Sequence, residues 1–302
     1  MLPLTRLRRL DVLTEQGQTG QLSAASGLVA IDDYLHVIAD DELTMATFRY
    51  SEPSRPGQLQ RLLPGRLPVE KAARKRQKPD WEALLPVPAS PAQPHGALLA
   101  FGSGSTEERM QAALLELDAS GALTGVVSTY SLRPFYSAAS RKLEELNVEA
   151  VFLKAGRIHF VSRGNRIHPI SCVIACEFAA WLAWLFDASK PLPALTLTSL
   201  TLPSLNDVVA SVSDAVALTN GWLATAIAEA TDDRYQDGPC VGAALAQFDE
   251  RHRLIGWWPL AEPVKIEGLA FVSGKSGPEL LLVNDPDDAR IAAELFSVRL
   301  PV

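Results

Sequence analysis

The chain has 302 residues, 47% apolar and 21% charged, a composition that fits an ordinary soluble globular fold with a large core. Its net charge of −7 gives nucleic-acid binding no general electrostatic support. No apolar run approaches the roughly 18 residues that a membrane-spanning helix needs, and three cysteines cannot build a disulfide framework. Cys172 and Cys176 have no thiol or histidine neighbours spaced for zinc, so a reducing, cytoplasmic location is expected.

The chain opens with MLPLTRLRRLDVL, too short and too broken by arginine for a secretory signal. Within residues 5–13 the stretch Leu7–Leu13 reads as a strand. Ser26–Asp40 then gives two short apolar strands around an Asp-Asp turn. The basic stretch Lys71–Lys78 (KAARKRQK) reads as an exposed loop. A weaker copy of the double strand begins at Glu82 and resumes at Gly96–Ser103 after a proline-rich connection. Three clearer copies follow, at Glu149–Arg163 around Ala-Gly, at Ser213–Glu229 around Asn-Gly, and from Glu267 to Asp285 across a longer glycine-containing turn. The alanine-rich pieces Met110–Leu117 and Val173–Leu185 follow hairpins and read as third strands or short surface helices. Within the latter, Phe178–Phe186 reads as a buried segment.

The repeat starts at Ser26, Glu82, Glu149, Ser213 and Glu267 are separated by 56, 67, 64 and 54 residues. The 35 residues after Glu267 and the 25 before Ser26 together make one more period. A head-to-tail remainder of this kind predicts an all-β, five-bladed propeller over residues 1–302, a single domain whose N-terminal strand completes the last blade. Such closure removes exposed sheet edges.

The first strand of a propeller blade lines the central channel. The five aligned residues, Ser26, Glu82, Glu149, Ser213 (or Asp214) and Glu267, are therefore expected to face one axis. Converging carboxylates repel unless they are protonated or bind a cation. An all-oxygen ring without histidine or cysteine favours calcium. For any single glutamate a backbone-bonding role competes with this reading.

Second strands run back to the same mouth and end near Asp40 and Asp41, the Gly-Ser-Gly-Ser loop with Ser103, Ser105 and Arg109, then Arg163 with Asn165, Glu229, and Asn284 with Asp285 and Asp287. Arginine forks and loop N–H groups suit a small phosphorylated or carboxylated ligand. Asp40 or Asp41 suits orientation or deprotonation of water beside a metal. His36 and His159 occupy matching positions inside second strands and read as packed residues, as do Trp257 and Trp258 between blades.

The Ser/Glu/Glu/Ser/Glu series, with Ser26-Gly-Leu-Val, Asp40-Asp41, Ser213-Asp214 and Ile266-Glu267-Gly268-Leu269, resembles the soluble calcium-activated nucleotidases (apyrases). The Glu-Gly-Leu motif is also similar to bacterial phytase-like and esterase-like propellers. The resemblance implies a metal-assisted phosphoester or ester hydrolase, with Asp40 or Asp41 at the acidic catalytic position. The competing expectation is a non-catalytic propeller that binds a ligand or protein partner around a structural cation.

Overall fold

The computed structural model describes residues 1–143, 145–164, 170–230, 238–274 and 277–300. Five antiparallel blades are arranged in a ring, as the repeat predicts. Their inner strands are Ala25–Ile31, Trp81–Val87, Val148–Lys154, Ser211–Ala217 and Ile266–Gly274. Each inner strand packs on those of the blades before and after it, the fifth on the first included. The second strands are Tyr34–Ala39, Ala97–Gly102, Arg157–Ser162, Trp222–Glu229 and Gly277–Asn284. The first four are almost wholly buried and the fifth is buried over Leu280–Val283, because each is covered on both faces by neighbouring blades.

Among the described residues the core divides into five clusters, one for each blade-to-blade interface. Trp257 and Trp258 show how the blades share them. Adjacent strand residues point to opposite faces, so Trp257 joins the core between blades three and four and Trp258 the core between four and five. His36 is buried with Nε2 at 3.0 Å from the Gly121 carbonyl and Nδ1 at 3.0 Å from the Thr47 hydroxyl. A carbonyl only accepts, so Nε2 carries a proton. Burial lowers the pKa of His36 to about 4. His159 lies flat on Phe152, 4.7 Å between centroids, and burial likewise lowers it to about 4.

The ring closes through the N-terminus. Thr5–Arg9 pairs antiparallel with Glu294–Val298 as the outer strand of blade five. Asp11–Leu13 then leaves that blade, pairs in parallel with Gly57–Arg61 of blade one, and returns through Thr19–Gln21. The stretch predicted to complete the last blade is thus divided between the last and the first. Leu10, Val12 and Leu22 fill the core between blades five and one, which is why the crossover occurs there.

One local expectation is corrected and an open one is resolved. Lys71–Gln77 is a helix, not a loop: the Glu70 carboxylate accepts from Ala72 N and Ala73 N at 2.8 and 2.7 Å, and the basic residues sit in its last turn. N-terminal acid and C-terminal base both favour a helix through its dipole. The Val173–Leu185 stretch divides into a third strand, Cys172–Glu177, and a helix, Phe178–Phe186, whose Trp181, Trp184 and Leu185 share one buried face. Gln111–Leu117 is a third strand.

The glycine after a ring residue has a packing reason. A Cβ on Gly268 would lie 3.0 Å from Leu28 N and 2.6 Å from a Val283 methyl, where blade five meets blade one. Gly268→Ala is expected to cost about 1–3 kcal/mol of stability by overpacking, measured as a lower denaturant midpoint with an unchanged slope.

Candidate active site at the channel mouth

The five ring residues share a backbone device. In every blade the register between the first two strands slips by one residue. The slip falls between Ala25 and Gly27, Trp81 and Ala83, Val148 and Ala150, Val212 and Asp214, and Ile266 and Gly268. The skipped residues are Ser26, Glu82, Glu149, Ser213 and Glu267. A β-bulge leaves its extra residue out of the ladder and re-aims the side chain.

The serines clasp blades together. The Ser26 hydroxyl donates to the Trp81 carbonyl, and the Ser213 hydroxyl to the Ile266 carbonyl at 2.6 Å. Each acceptor immediately precedes the ring glutamate of the next blade. Asp214 strengthens the second clasp, accepting from Ala215 N and, across the interface, from Leu269 N, both at 2.8 Å.

The glutamates sit in two settings. Glu149 lies 3.5 Å from Arg163 and accepts from Asn147, while Arg163 also pairs with Glu229. Glu267 is 3.2 Å from Lys265, which in turn reaches Asp285 at 3.2 Å, Asp287 at 2.8 Å and Glu229 at 3.7 Å. Glu82 differs. It joins Asp40 and Asp80 in a cluster whose ligand atoms lie within 4.8 Å of one another. Lys78 contacts Asp40 and lies 2.8 Å from Asp80. Asp80 also accepts from Ser103 at 2.6 Å and from Arg109 at 2.8 Å.

The remaining predicted residues fall around this cluster or outside it. Ser105 accepts from Arg109 at 2.8 Å, and Arg109 also donates to the Lys75 carbonyl, so this arginine is committed to holding the loop and Asp80. Asp41 is bonded to Arg74 of the short helix at 3.2 Å, at the rim. Asp285 belongs to the Lys265 group. Asn165 lies outside the described residues.

Asp80, Lys78 and Lys265 are the residues that sequence reasoning missed. Asp80, Asn147 and Lys265 each stand two positions before a ring glutamate, in Asp-Trp-Glu, Asn-Val-Glu and Lys-Ile-Glu. The same spacing before three ring glutamates was the available signal.

Eight carboxylates (Asp40, Asp80, Glu82, Glu149, Glu229, Glu267, Asp285 and Asp287) meet four cations (Lys78, Arg109, Arg163 and Lys265). Burial, with neighbouring carboxylates, raises Glu82 and Glu267 well above the usual range and raises Asp40 as well. Burial pushes Glu149 and Asp285 up to about 7, against the pull of Arg163 and Lys265. For Lys78 and Lys265 burial favours the neutral form, but the surrounding carboxylates outweigh it and hold both charged.

A pH dependence follows. Glu149 and Asp285 have folded values above their unfolded ones of 4.5 and 3.8, so their contribution to stability is lost as pH rises through about 7. His36 and His159 have folded values below 6.5, so theirs is lost as pH falls below that value. The two effects oppose each other between about pH 4.5 and 6.5, and metal-free protein should lose stability from about pH 6.5 to 7, where these carboxylates alone still titrate, measured by urea unfolding across pH. Stability that rises over that last interval would contradict the raised carboxylates.

An all-oxygen cluster with uncompensated charge fits a hard divalent cation, and Asp40, Asp80 and Glu82 are the residues able to hold one. Among solved structures, the chain resembles the glutaminyl cyclase of Myxococcus xanthus, with 12% identity, a TM-score of 0.50, and 100% of this chain and 97% of that one covered. It is also similar to the calcium-binding protein regucalcin from Agrobacterium tumefaciens, with 12% identity, a TM-score of 0.46, and 99% and 94% covered. At this identity the likeness to the glutaminyl cyclase bears on the fold alone. No curated protein matches the sequence. The sequence model of one family matches residues 21–300, nearly the whole propeller, and the chain belongs to that family, the family of unknown function DUF6929.

Proposed function

We propose that the channel mouth binds a calcium ion on Asp40, Asp80 and Glu82 and hydrolyses a small phosphorylated or ester substrate there. The observation that carries this reading is the setting of Glu82. A bulge turns it out of the ladder, and the largest influences on it after burial are the carboxylates of Glu149, Asp80, Asp40 and Glu267. Such a group is stabilised by a cation, and its resemblance to the ring of calcium-activated nucleotidases supports calcium.

A divalent cation held there supplies Lewis-acid polarisation of a phosphoryl or ester oxygen. The chain's own residues supply the rest. Glu149, with a pKa of about 7, holds or releases a proton near neutrality and suits general acid–base work on water. Arg163 fixes its carboxylate, and Arg109 with Ser103 fixes Asp80. Of the two acidic residues that end the second strand of blade one, Asp40 belongs to the cluster and Asp41 to the rim.

One observation favours a second reading. The four mouth cations are all paired with carboxylates, leaving none of them uncommitted for an anionic substrate. A non-catalytic propeller with a structural ion accounts for that. The two readings separate in a screen of phosphoesters and lactones with added calcium. Hydrolysis abolished in Asp40→Asn and kept in Asp41→Asn supports the enzyme. A protein that binds calcium yet turns over no substrate leaves the structural ion.

A further inference from the structure

The molecule carries a second polar concavity, of opposite chemical character, on the flank between blades three and four. It has a volume of about 630 Å³. One wall is the end of the outer strand Thr196–Ser199 with Thr201, and the other is the turn carrying Arg251, His252 and Arg253. Among the described residues that line it none is a carboxylate, in a chain whose net charge is −7. Leu202 and Leu254 give it an apolar floor.

The turn is built to hold these donors in place. The Asp249 carboxylate accepts from Arg251 N and Arg253 N, both at 2.9 Å, and His252 adopts a left-handed φ of 60°. Trp222 Nε1 donates to His252 Nδ1 at 3.1 Å, so the neutral imidazole carries its proton on Nε2 and offers it as a donor. Arg253 is tied to Asp249 but is 71% exposed, and the Arg251 side chain makes no ion pair or hydrogen bond with a described residue. Burial lowers the pKa of His252 against the pull of Asp249, so the ring stays neutral.

We propose that this flank groove is a binding site for a small molecule carrying a phosphate group. The Arg251 guanidinium, the Arg253 Nη1 group left over from its pairing with Asp249, an imidazole N–H and the hydroxyls of Thr198, Ser199 and Thr201 offer more donors than the two oxygens of a carboxylate take up. A doubly charged phosphate with three terminal oxygens matches them. The volume and the apolar floor leave room for an organic portion. The site is independent of the channel mouth, whose cations are committed to carboxylates.

Titration calorimetry with phenyl phosphate in metal-free buffer at fixed ionic strength tests this, with benzoate as the carboxylate control. Phenyl phosphate should bind saturably, about tenfold or more tightly than benzoate. Arg251→Ala and Arg253→Ala should each weaken it about tenfold, while Arg66→Ala, at an exposed loop arginine that does not line the groove, leaves it unchanged. Both arginine side chains lie at the surface, so the variants should keep the wild-type near-UV spectrum. The assignment is overturned if phenyl phosphate does not bind saturably, if benzoate binds as tightly, or if neither arginine variant alters the affinity.

Discussion

Lys265→Met is expected to destabilise the metal-free protein by about 3–5 kcal/mol at pH 8, the range for removing one partner of a buried ion pair. The Lys265 ammonium is 8% exposed and lies within 3.2 Å of oxygens from Glu267, Asp285 and Asp287. Methionine fills similar space but leaves those carboxylates facing one another. They would recover neutrality only by protonation, so the deficit should shrink as pH falls towards 6. Denaturant unfolding at several pH values reads this directly. A loss below about 1 kcal/mol at pH 8 would place the group in the class of screened surface pairs and undo the description of the mouth as a buried charge cluster.

Lys78→Met should raise calcium affinity by at least about tenfold. Lys78 touches Asp40 and Asp80 and influences Glu82, which makes it a tethered cation in the place an ion would take. At separations near 4 Å one unit charge contributes up to about 4 kcal/mol in a partly screened site, so tenfold is a modest expectation. The same substitution should lower stability without calcium and restore it with calcium. Calorimetric titration of both proteins decides it. Equal affinities would mean that calcium binds elsewhere, and loss of binding would mean that Lys78 belongs to the site.

The fold was legible because a propeller writes its period into the chain. Five starts near 60 residues apart, with a remainder shared between the ends, required a closed ring. What escaped was the division of the N-terminal segment, since Leu10 and Val12 are equally apolar whichever blade they join. The helix at Lys71–Gln77 escaped for a different reason. Charge dominated the reading of that stretch, although the Glu70 cap and two alanines were present.

The site was legible by position and less so by partnership. The aligned residues Ser26, Glu82, Glu149, Ser213 and Glu267 are the five bulge residues. Sequence did not tell that two of them clasp blades through hydroxyls, or that Lys265 and Arg163 accompany two of the glutamates. Side-chain pairing across blades brings together residues such as Arg163 and Glu229, 66 positions apart, and no local pattern records it. Asp80 was within reach only through the spacing it shares with Asn147 and Lys265 before a ring glutamate.

The central claim is that the mouth is a calcium site centred on Glu82, and thermal unfolding of chelator-treated protein tests it most directly. An ion that binds only the folded state raises the midpoint progressively, as RT ln(1 + [L]/Kd). The account predicts such a rise with calcium, smaller with magnesium, and absent in Glu82→Gln. A midpoint indifferent to calcium, magnesium and manganese would contradict it and leave the carboxylates as a protonated network that locks the blades.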